Sequence, residues 1–438
     1  MTTDGAIAVG PNGGILRNIN RPEIPRATLD VTKEGFLYAI GKELCICAHR
    51  PPQPFGSDKY ISPFDKDEDH ATQEVLNSRS PDDHVFTEFP RRRADDSRAP
   101  ESADAYLNIE GDVTASLVVT HVLKAGDCRG AQVVLCDVNE SESLTMYWNK
   151  MGYANHPKQV VAKLYDPLLY PKDHPVGTWI RIDTVNAADR EYAAEAASYM
   201  EFHQHMDDPM VRDFVPRFYG TWTTSVGNEG WGSSTTRPIP GTNNIQTVRP
   251  VRMVLMEYID GSRLHKVTRR RYEEDRGTFL DTSNLVIDGH DASLDLFSRI
   301  LRGLVALKFR GILAGSVSAR NFLIDDSENG YQTPPELQLL GDDRVVMIGH
   351  GSNTVARYTV QRRHIIQHLD RPPHPVCEEF DPRRMHSLAG MFPVKWVRDI
   401  KPYVDWARET FRSEDYTSKE DAEKRVAEVE AEQKEEQE

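Results

Sequence analysis

The chain has 438 residues, a formal net charge of -15, 39% hydrophobic and 28% charged residues. That length holds one large domain or two ordinary ones, and that balance suits a soluble globular core with polar appendages. The acidic balance excludes a general nucleic-acid binder, which needs a dominant basic face, and no apolar run approaches the roughly 20 residues that cross a bilayer.

In chain order, the opening stretch MTTDGAIAVGPNGG has no basic region and no long apolar run, so it does not read as a secretory signal. Residues 1–104 read as an irregular region. Within it, VTKEGFLYAIGKELCICAH holds a short apolar element of undecided type, and residues 50–103 are dense in Pro, Asp, Arg and Ser. Cys45, Cys47 and His49 would share a face of a strand, but their spacing matches no structural zinc pattern. With Cys128, Cys136 and Cys377 they make five scattered cysteines, which fit reduced thiols and an intracellular setting, cytoplasmic or nuclear. The basic runs Arg91-Arg92-Arg93 and Arg269-Arg270-Arg271 read as solvated loops.

Ordered structure is expected from residue 105. ASLVVTHVLKAGDCRGAQVVLCDV is two β-branched runs around a glycine turn, a hairpin signal, and KQVVAKLY follows as a strand. DREYAAEAASYMEFHQHM has helical spacing. FVPRFYGTWTTS and VRMVLMEYI read as strands around an inserted polar loop at 226–249. A long amphipathic helix is expected from Ser293 to Leu313, then short strands at NFLI and RVVMIGHG. Asp325, Asp326, Asp342 and Asp343 read as turn residues flanking those strands. His364, His368, His374 and Cys377 lie close in sequence, but at irregular, proline-interrupted spacing that does not favour a metal site. Residues 413–438 read as a charged, solvated helix.

This order of elements, with a lysine strand, a glutamate helix and an Asn-bearing loop, resembles the protein-kinase-like superfamily, in particular the divergent kinase-like proteins of fungi. The resemblance covers about residues 113–355 and implies an α+β, bilobal fold. A β-rich lobe would span 105–260 and a shortened helical lobe 261–412, for want of an A-P-E-like motif or a long apolar helix after Gly351. VVAKLYDP resembles the strand whose lysine contacts nucleotide phosphates, which implies that role for Lys163. The helix offers Glu191 and Glu195 as its ion-pair partner, with Glu195 at the better spacing. VLMEYIDG resembles the adenine-binding edge, with Met256 at its gate and Glu257, Tyr258 and Ile259 in the hinge. The glycine-rich loop matches poorly: Gly126 survives, while Cys128 and Ala131 replace the later glycines, so this hairpin reads as structural.

The loop AGSVSARN aligns with H-R-D-L-x-x-x-N without a gap, so Ala314 replaces the His and Ser316 the proton-accepting Asp, while Asn321 matches the metal-binding Asn. Gly349-His350-Gly351 aligns with D-F-G, so the metal-binding Asp is lost at Gly349. Serine is no base near neutral pH, and a positioned base is worth about 10²- to 10⁴-fold. Asn321 alone is a weak Mg²⁺ ligand. In the resembled family the His and Phe of these motifs pack in an apolar column; Ala314 leaves room there and His350 is polar, which speaks against the active arrangement. The expectation is a kinase-like protein without phosphotransfer activity, a pseudokinase-type binding or scaffold module. It would bind ATP weakly, Mg²⁺ weakly or not at all, and a protein partner rather than nucleic acid or membrane. The alternative is a divergent ATP-dependent kinase with metal ligands relocated to Asp325, Asp326 or His350.

Overall fold

In a computed structural model the described residues are 38–55, 60, 76–77, 101–102, 113–126, 130–174, 177–227, 248–264, 270–273, 278–281, 290–325, 344–359, 369–375 and 399–412, with scattered positions between 388 and 431. Cys128, Asp326, Asp342, Asp343, His364, His368, Cys377 and the Arg91–Arg93 run lie outside them. The architecture mixes α and β and is richest in β structure before residue 257.

Six strands dominate the first part: β1 (Glu43–Arg50), β2 (Thr114–Lys124), β3 (Gln132–Asn139), β4 (Gln159–Tyr165), β5 (Phe218–Gly227) and β6 (Val248–Met256). The pairing order is β1-β2-β3-β4-β6-β5, and β1 also pairs with β5, so the antiparallel sheet closes on itself. Cys47 sits opposite Thr114 on one side and Thr223 on the other. Closure removes the two open edges that a five-strand sheet would present. The element of undecided type around CICAH is therefore the strand that shuts the sheet. Along it Leu44, Ile46 and Ala48 are buried while Cys45 is exposed, the alternation of a two-sided strand. His49 is buried in hydrogen bonds to Tyr192 and Thr223, and not in a metal-type cluster.

Helix α1 (Glu142–Lys150) connects β3 to β4 and was not anticipated from sequence. Ser141 caps it by accepting from Leu144 N at 3.2 Å. It turns Tyr147 and Trp148 inward, Tyr147 against Trp222 at 5.0 Å between centroids and Trp148 Nε1 donating to Tyr219 O. Helix α2 (Thr184–Gln204) is the long helix expected after the lysine strand. Its 21 residues give about 31 Å at 1.5 Å per residue. Asp183 caps it through Asn186 N at 3.0 Å, and Tyr192, Tyr199 and Phe202 along it are fully buried.

The rest is built on helix α3 (His290–Phe309), whose buried Phe297, Ile300, Leu301, Leu304 and Val305 recur at helical spacing. Short strands surround it: β7 (Gly261–Arg263), β8 (Ile312–Leu313), β9 (Phe322–Asp325), β10 (Arg344–Met347) and β11 (Thr354–Val355), with β7, β9 and β10 forming one antiparallel sheet. Helix α4 (Lys401–Thr410) packs an aromatic cluster on α3, with Phe297 5.0 Å from Phe392 and 5.7 Å from Trp406. The C-terminal stretch thus carries a packed helix, amphipathic and not uniformly apolar, where the sequence showed no clear long apolar one. No helix among the described residues is long and apolar enough to cross a membrane.

Candidate functional site

Lys163 lies in the middle of β4, opposite Val133 of β3 and Val254 of β6. Its ammonium donates to Glu195 Oε2 and stands 3.3 Å from Glu191 Oε1, both on α2. Glutamates four apart share one helix face, so the helix delivers two carboxylates to one lysine. Both of the sequence candidates for the lysine's partner are therefore engaged, Glu195 with the closer contact. Burial by itself pushes the Lys163 ammonium toward neutrality; Glu195 and then Glu191 outweigh it, and the net direction is upward. One cation against two anions leaves the cluster with one net negative charge.

Two tyrosines that sequence reasoning missed complete this cluster. Tyr170 donates to Glu191 Oε2 at 2.9 Å, and the Tyr165 ring lies 5.4 Å from Lys163 Nζ. Burial first, and the two carboxylates second, raise both phenols well above their ordinary range, so each stays protonated. Tyr165 was readable in principle, because residues two apart on a strand share a face with Lys163.

The two described ends of the hairpin turn, Gly126 and Gly130, are both bonded to Gln132. Gln132 is fully buried; its Oε1 accepts from Gly126 N at 2.8 Å, and its Nε2 donates to Gly126 O at 3.2 Å and Gly130 O at 2.6 Å. Gly126, which the resemblance aligns with the first glycine of a phosphate-binding loop, thus gives its N–H to a side chain of its own hairpin, in keeping with a structural turn.

At the end of β6, which is paired on both sides and is no edge strand, Met256 is buried and its sulfur accepts from the Tyr199 hydroxyl at 3.1 Å; Ile259, beyond the strand, is buried too. Glu257 accepts from Arg217 N at 3.0 Å and from Arg344 through both carboxylate oxygens, each at 3.0 Å. The Arg344 guanidinium also donates to the carbonyls of Asp213, Arg212 and Val215. Its Nε–H, both Nη2 hydrogens and one Nη1 hydrogen are matched, and the segment 212–215, the residue after β6 and β10 are pinned at one point.

The AGSVSARN loop and the Gly349-His350-Gly351 turn meet. Asn321 Nδ2 donates to Ser316 O at 3.0 Å, and Ile348 N donates to Asn321 O at 2.7 Å. Gly349 has φ +81, the left-handed region, and a Cβ placed on it would stand 3.5 Å from Asn321 Oδ1. Ser316 is exposed, and Asn321 and Gly349 are half-buried. The three positions expected to carry base and metal ligands converge, and an amide and a hydroxyl, with no carboxylate, are what their side chains offer. Gly315 allows the close approach: a Cβ there would fall 1.7 Å from Ser352 O.

His350 is wholly buried. Its ring is edge-on to Tyr199 at 5.2 Å and to Phe202 at 4.7 Å, and Phe218 stacks on the other side of Tyr199 at 5.7 Å. Nε2–H donates to Met347 O at 2.9 Å, Nδ1 accepts from Asn353 Nδ2 at 3.0 Å, and Asn353 Oδ1 accepts from Gly315 N at 3.2 Å. This chain of bonds fits one neutral tautomer. Burial drives the His350 pKa down to about 3, against the opposing bond to Met347 and helped by the charge of Lys163. The polarity that spoke against an apolar column is satisfied by bonds at its rim, while Ala314 lies half-buried against the core. His350 is therefore not placed to serve as a base or metal ligand. His374, the described member of the C-terminal His group, packs on Phe411 and Tyr416. Asp325 is the last residue of β9, opposite Gly261 and Arg344.

No family model and no curated protein matches the chain. Among solved structures it is similar to vaccinia related kinase 3, at 11% identity and a TM-score of 0.28, over 55% of this chain and 49% of that one. It is also similar to a second kinase domain, at 12% identity and a TM-score of 0.29, over 55% and 51%. The chain spans about half the length of these solved chains, and superposition this loose carries no inference; the geometry above does.

Proposed function

We propose that the chain is a kinase-like protein without phosphotransfer activity, acting as a binding or scaffold module for another protein. One observation carries this reading: Ser316, Asn321 and Gly349 converge with no carboxylate among them. Metal and phosphate charge neutralisation is the main source of phosphoryl-transfer catalysis, so its loss outweighs the loss of a base. Nucleotide binding is weak in this reading. Lys163 is already over-neutralised by Glu191 and Glu195, and Gly126 is bonded to Gln132. A kinase with His350 as its relocated metal ligand is disfavoured, because both ring nitrogens are engaged; Asp325 and Asp326 remain the ligands of the alternative reading.

The test incubates the full chain with labelled ATP, Mg²⁺ or Mn²⁺ and generic protein and small-molecule acceptors. No transfer above background is expected, and robust transfer that disappears in Lys163→Ala overturns the reading. A thermal shift with ATP reads the nucleotide part separately, since a bound ligand stabilises by RT ln(1 + [L]/Kd).

A further inference from the structure

The strand that closes the sheet belongs to a longer track of contacts, and that track ends on helix α2 and the segment 353–359. It starts at Tyr38, fully buried, whose hydroxyl donates to Asp166 Oδ2 at 2.8 Å, directly after the lysine strand. Strand β1 then pairs with β2 and β5. His49, at its end, bonds the hydroxyl of Tyr192 on α2 and, through its other ring nitrogen, Thr223 of β5 at 3.0 Å. Phe55 is buried against Ala193, the next residue of α2 and the one between Glu191 and Glu195 in the helix run. Tyr60, five positions on, is buried; its hydroxyl donates to Asn353 O at 2.9 Å and accepts from Val355 N at 3.2 Å, and its backbone bridges Thr359.

These contacts fall on three parts of the fold: the closed sheet, helix α2 and the segment 353–359. Asn353 is the residue that holds His350 and Gly315, and α2 is the helix that holds Lys163. The α2–353–359 joint has a second tie: Arg357 pairs with Glu201 of α2 at 2.9 Å. We infer that residues 38–55 with Tyr60 act as a brace built into the chain. The brace fixes α2 and the 350–359 segment to the sheet, so that the Lys163–Glu191–Glu195 cluster and the His350 column are set by the chain itself, without a partner or a modification. The device concerns conformation and stands apart from whether the cleft takes nucleotide. It assigns a role to a region that reads, from sequence, as irregular, because its partners lie from about 50 to about 300 residues away and no local pattern announces them.

The test uses the full chain with Tyr60→Phe and with Phe55→Ala, neither of which touches a strand pairing of the closed sheet. Hydrogen exchange is followed by mass spectrometry on peptides covering 184–204 and 350–359, with 132–139 and 159–165 as the internal reference, and acylation of Lys163 by an amine reagent is timed in parallel. The brace predicts exchange about tenfold faster in α2 and in 350–359, unchanged exchange in the reference strands, and a Lys163 acylation rate raised by a similar factor. Three results overturn it: no change, a rise confined to the peptide bearing the Val355 amide with α2 and Lys163 unaltered, or a uniform rise across all four peptides, which marks a packing loss and not a brace.

Discussion

The buried histidine makes a prediction with a calculable size. His350 is held neutral in the folded chain, with a pKa of about 3, against about 6.5 for an unconstrained histidine. Between those values the unfolded chain binds a proton that the folded chain does not. The stabilisation is therefore complete above the unfolded pKa and is lost as pH falls toward the folded one. From pH 7 to pH 5 the loss at this one group is RT ln[(1 + 10^1.5)/(1 + 10^-0.5)], about 2 kcal/mol. The groups facing the ring are Lys163, whose charge acts in the same direction, and the uncharged Tyr199, Phe202, Asn353 and Met347 carbonyl. The perturbation is His350→Gln, which keeps an N–H for Met347 O and does not titrate. Urea unfolding of both proteins at pH 7 and pH 5 gives four free energies. Other titrating groups, His203 and His374 among them, cancel in the difference of differences. The wild type should lose about 2 kcal/mol more than the variant between the two pH values. Equal losses would show that His350 is protonated or solvated in the folded chain and refute the assignment of its tautomer.

Three further outcomes follow from the same geometry. Lys163→Met leaves Glu195, 1% exposed at its side chain, as an unpaired buried carboxylate, and should cost about 3–5 kcal/mol in denaturant unfolding; adding Glu195→Gln should recover much of that, and an additive double variant would contradict the pairing. Arg344→Lys cannot span three carbonyls and a carboxylate at once, so it should lower stability by about 2–4 kcal/mol, whereas a change under about 0.5 kcal/mol would mean that the pin is not formed in solution. Gly315→Ala places a Cβ 1.7 Å from Ser352 O, so the 314–318 loop must separate from the 350–353 turn; loss of at least about 2 kcal/mol, with faster amide exchange at 350–355, is expected, and a neutral result would rule out the close approach.

What was legible in the sequence was what repeats locally. The β2–β3 hairpin, β4, α2, β5, β6, α3, β9 and β10 each announce themselves by alternation, by helical spacing or by a glycine turn, and Lys163 and Asn321 fall on them at readable positions. Strand β1 did not, because CICAH is short, is followed by prolines and becomes a strand only by pairing with residues 114–118 and 222–224. Helix α1 offered a cap at Ser141, but ESLTMYWNK is too short and too polar for its spacing to speak. The doubling of carboxylates on Lys163 was missed as a pair, since each glutamate was weighed as a sole partner. His350 was misjudged on polarity. A histidine in an apolar column is costly only when its nitrogens lack partners, and those partners, Met347 O and Asn353, are brought by a turn that no sequence pattern encodes.

The distribution of what is kept and what is missing has a thermodynamic reading. Lys163, Glu195 and His350 are buried, and each is bonded so that deleting it strands a partner in the interior. Ser316 is exposed and Gly349 half-buried, with Asn321 bonded to the neighbouring backbone, so replacing a carboxylate at either place strands nothing. Under the proposed function, the two carboxylates can therefore be absent at no cost in folding, whereas loss of the lysine strands a buried carboxylate. It follows that Lys163, the most kinase-like residue in the sequence, is weak support for nucleotide binding here, because its ion pairs explain its presence without any ligand. The informative variant is the reverse one. Ser316→Asp with Gly349→Asp adds back both carboxylates beside Asn321, at a left-handed backbone position that Asp tolerates better than most residues. If the cleft were a kinase site lacking only these groups, the double variant should gain Mg²⁺-dependent ATP stabilisation in a thermal shift. The over-neutralised lysine and the Gln132-bound Gly126 and Gly130 predict that it gains none.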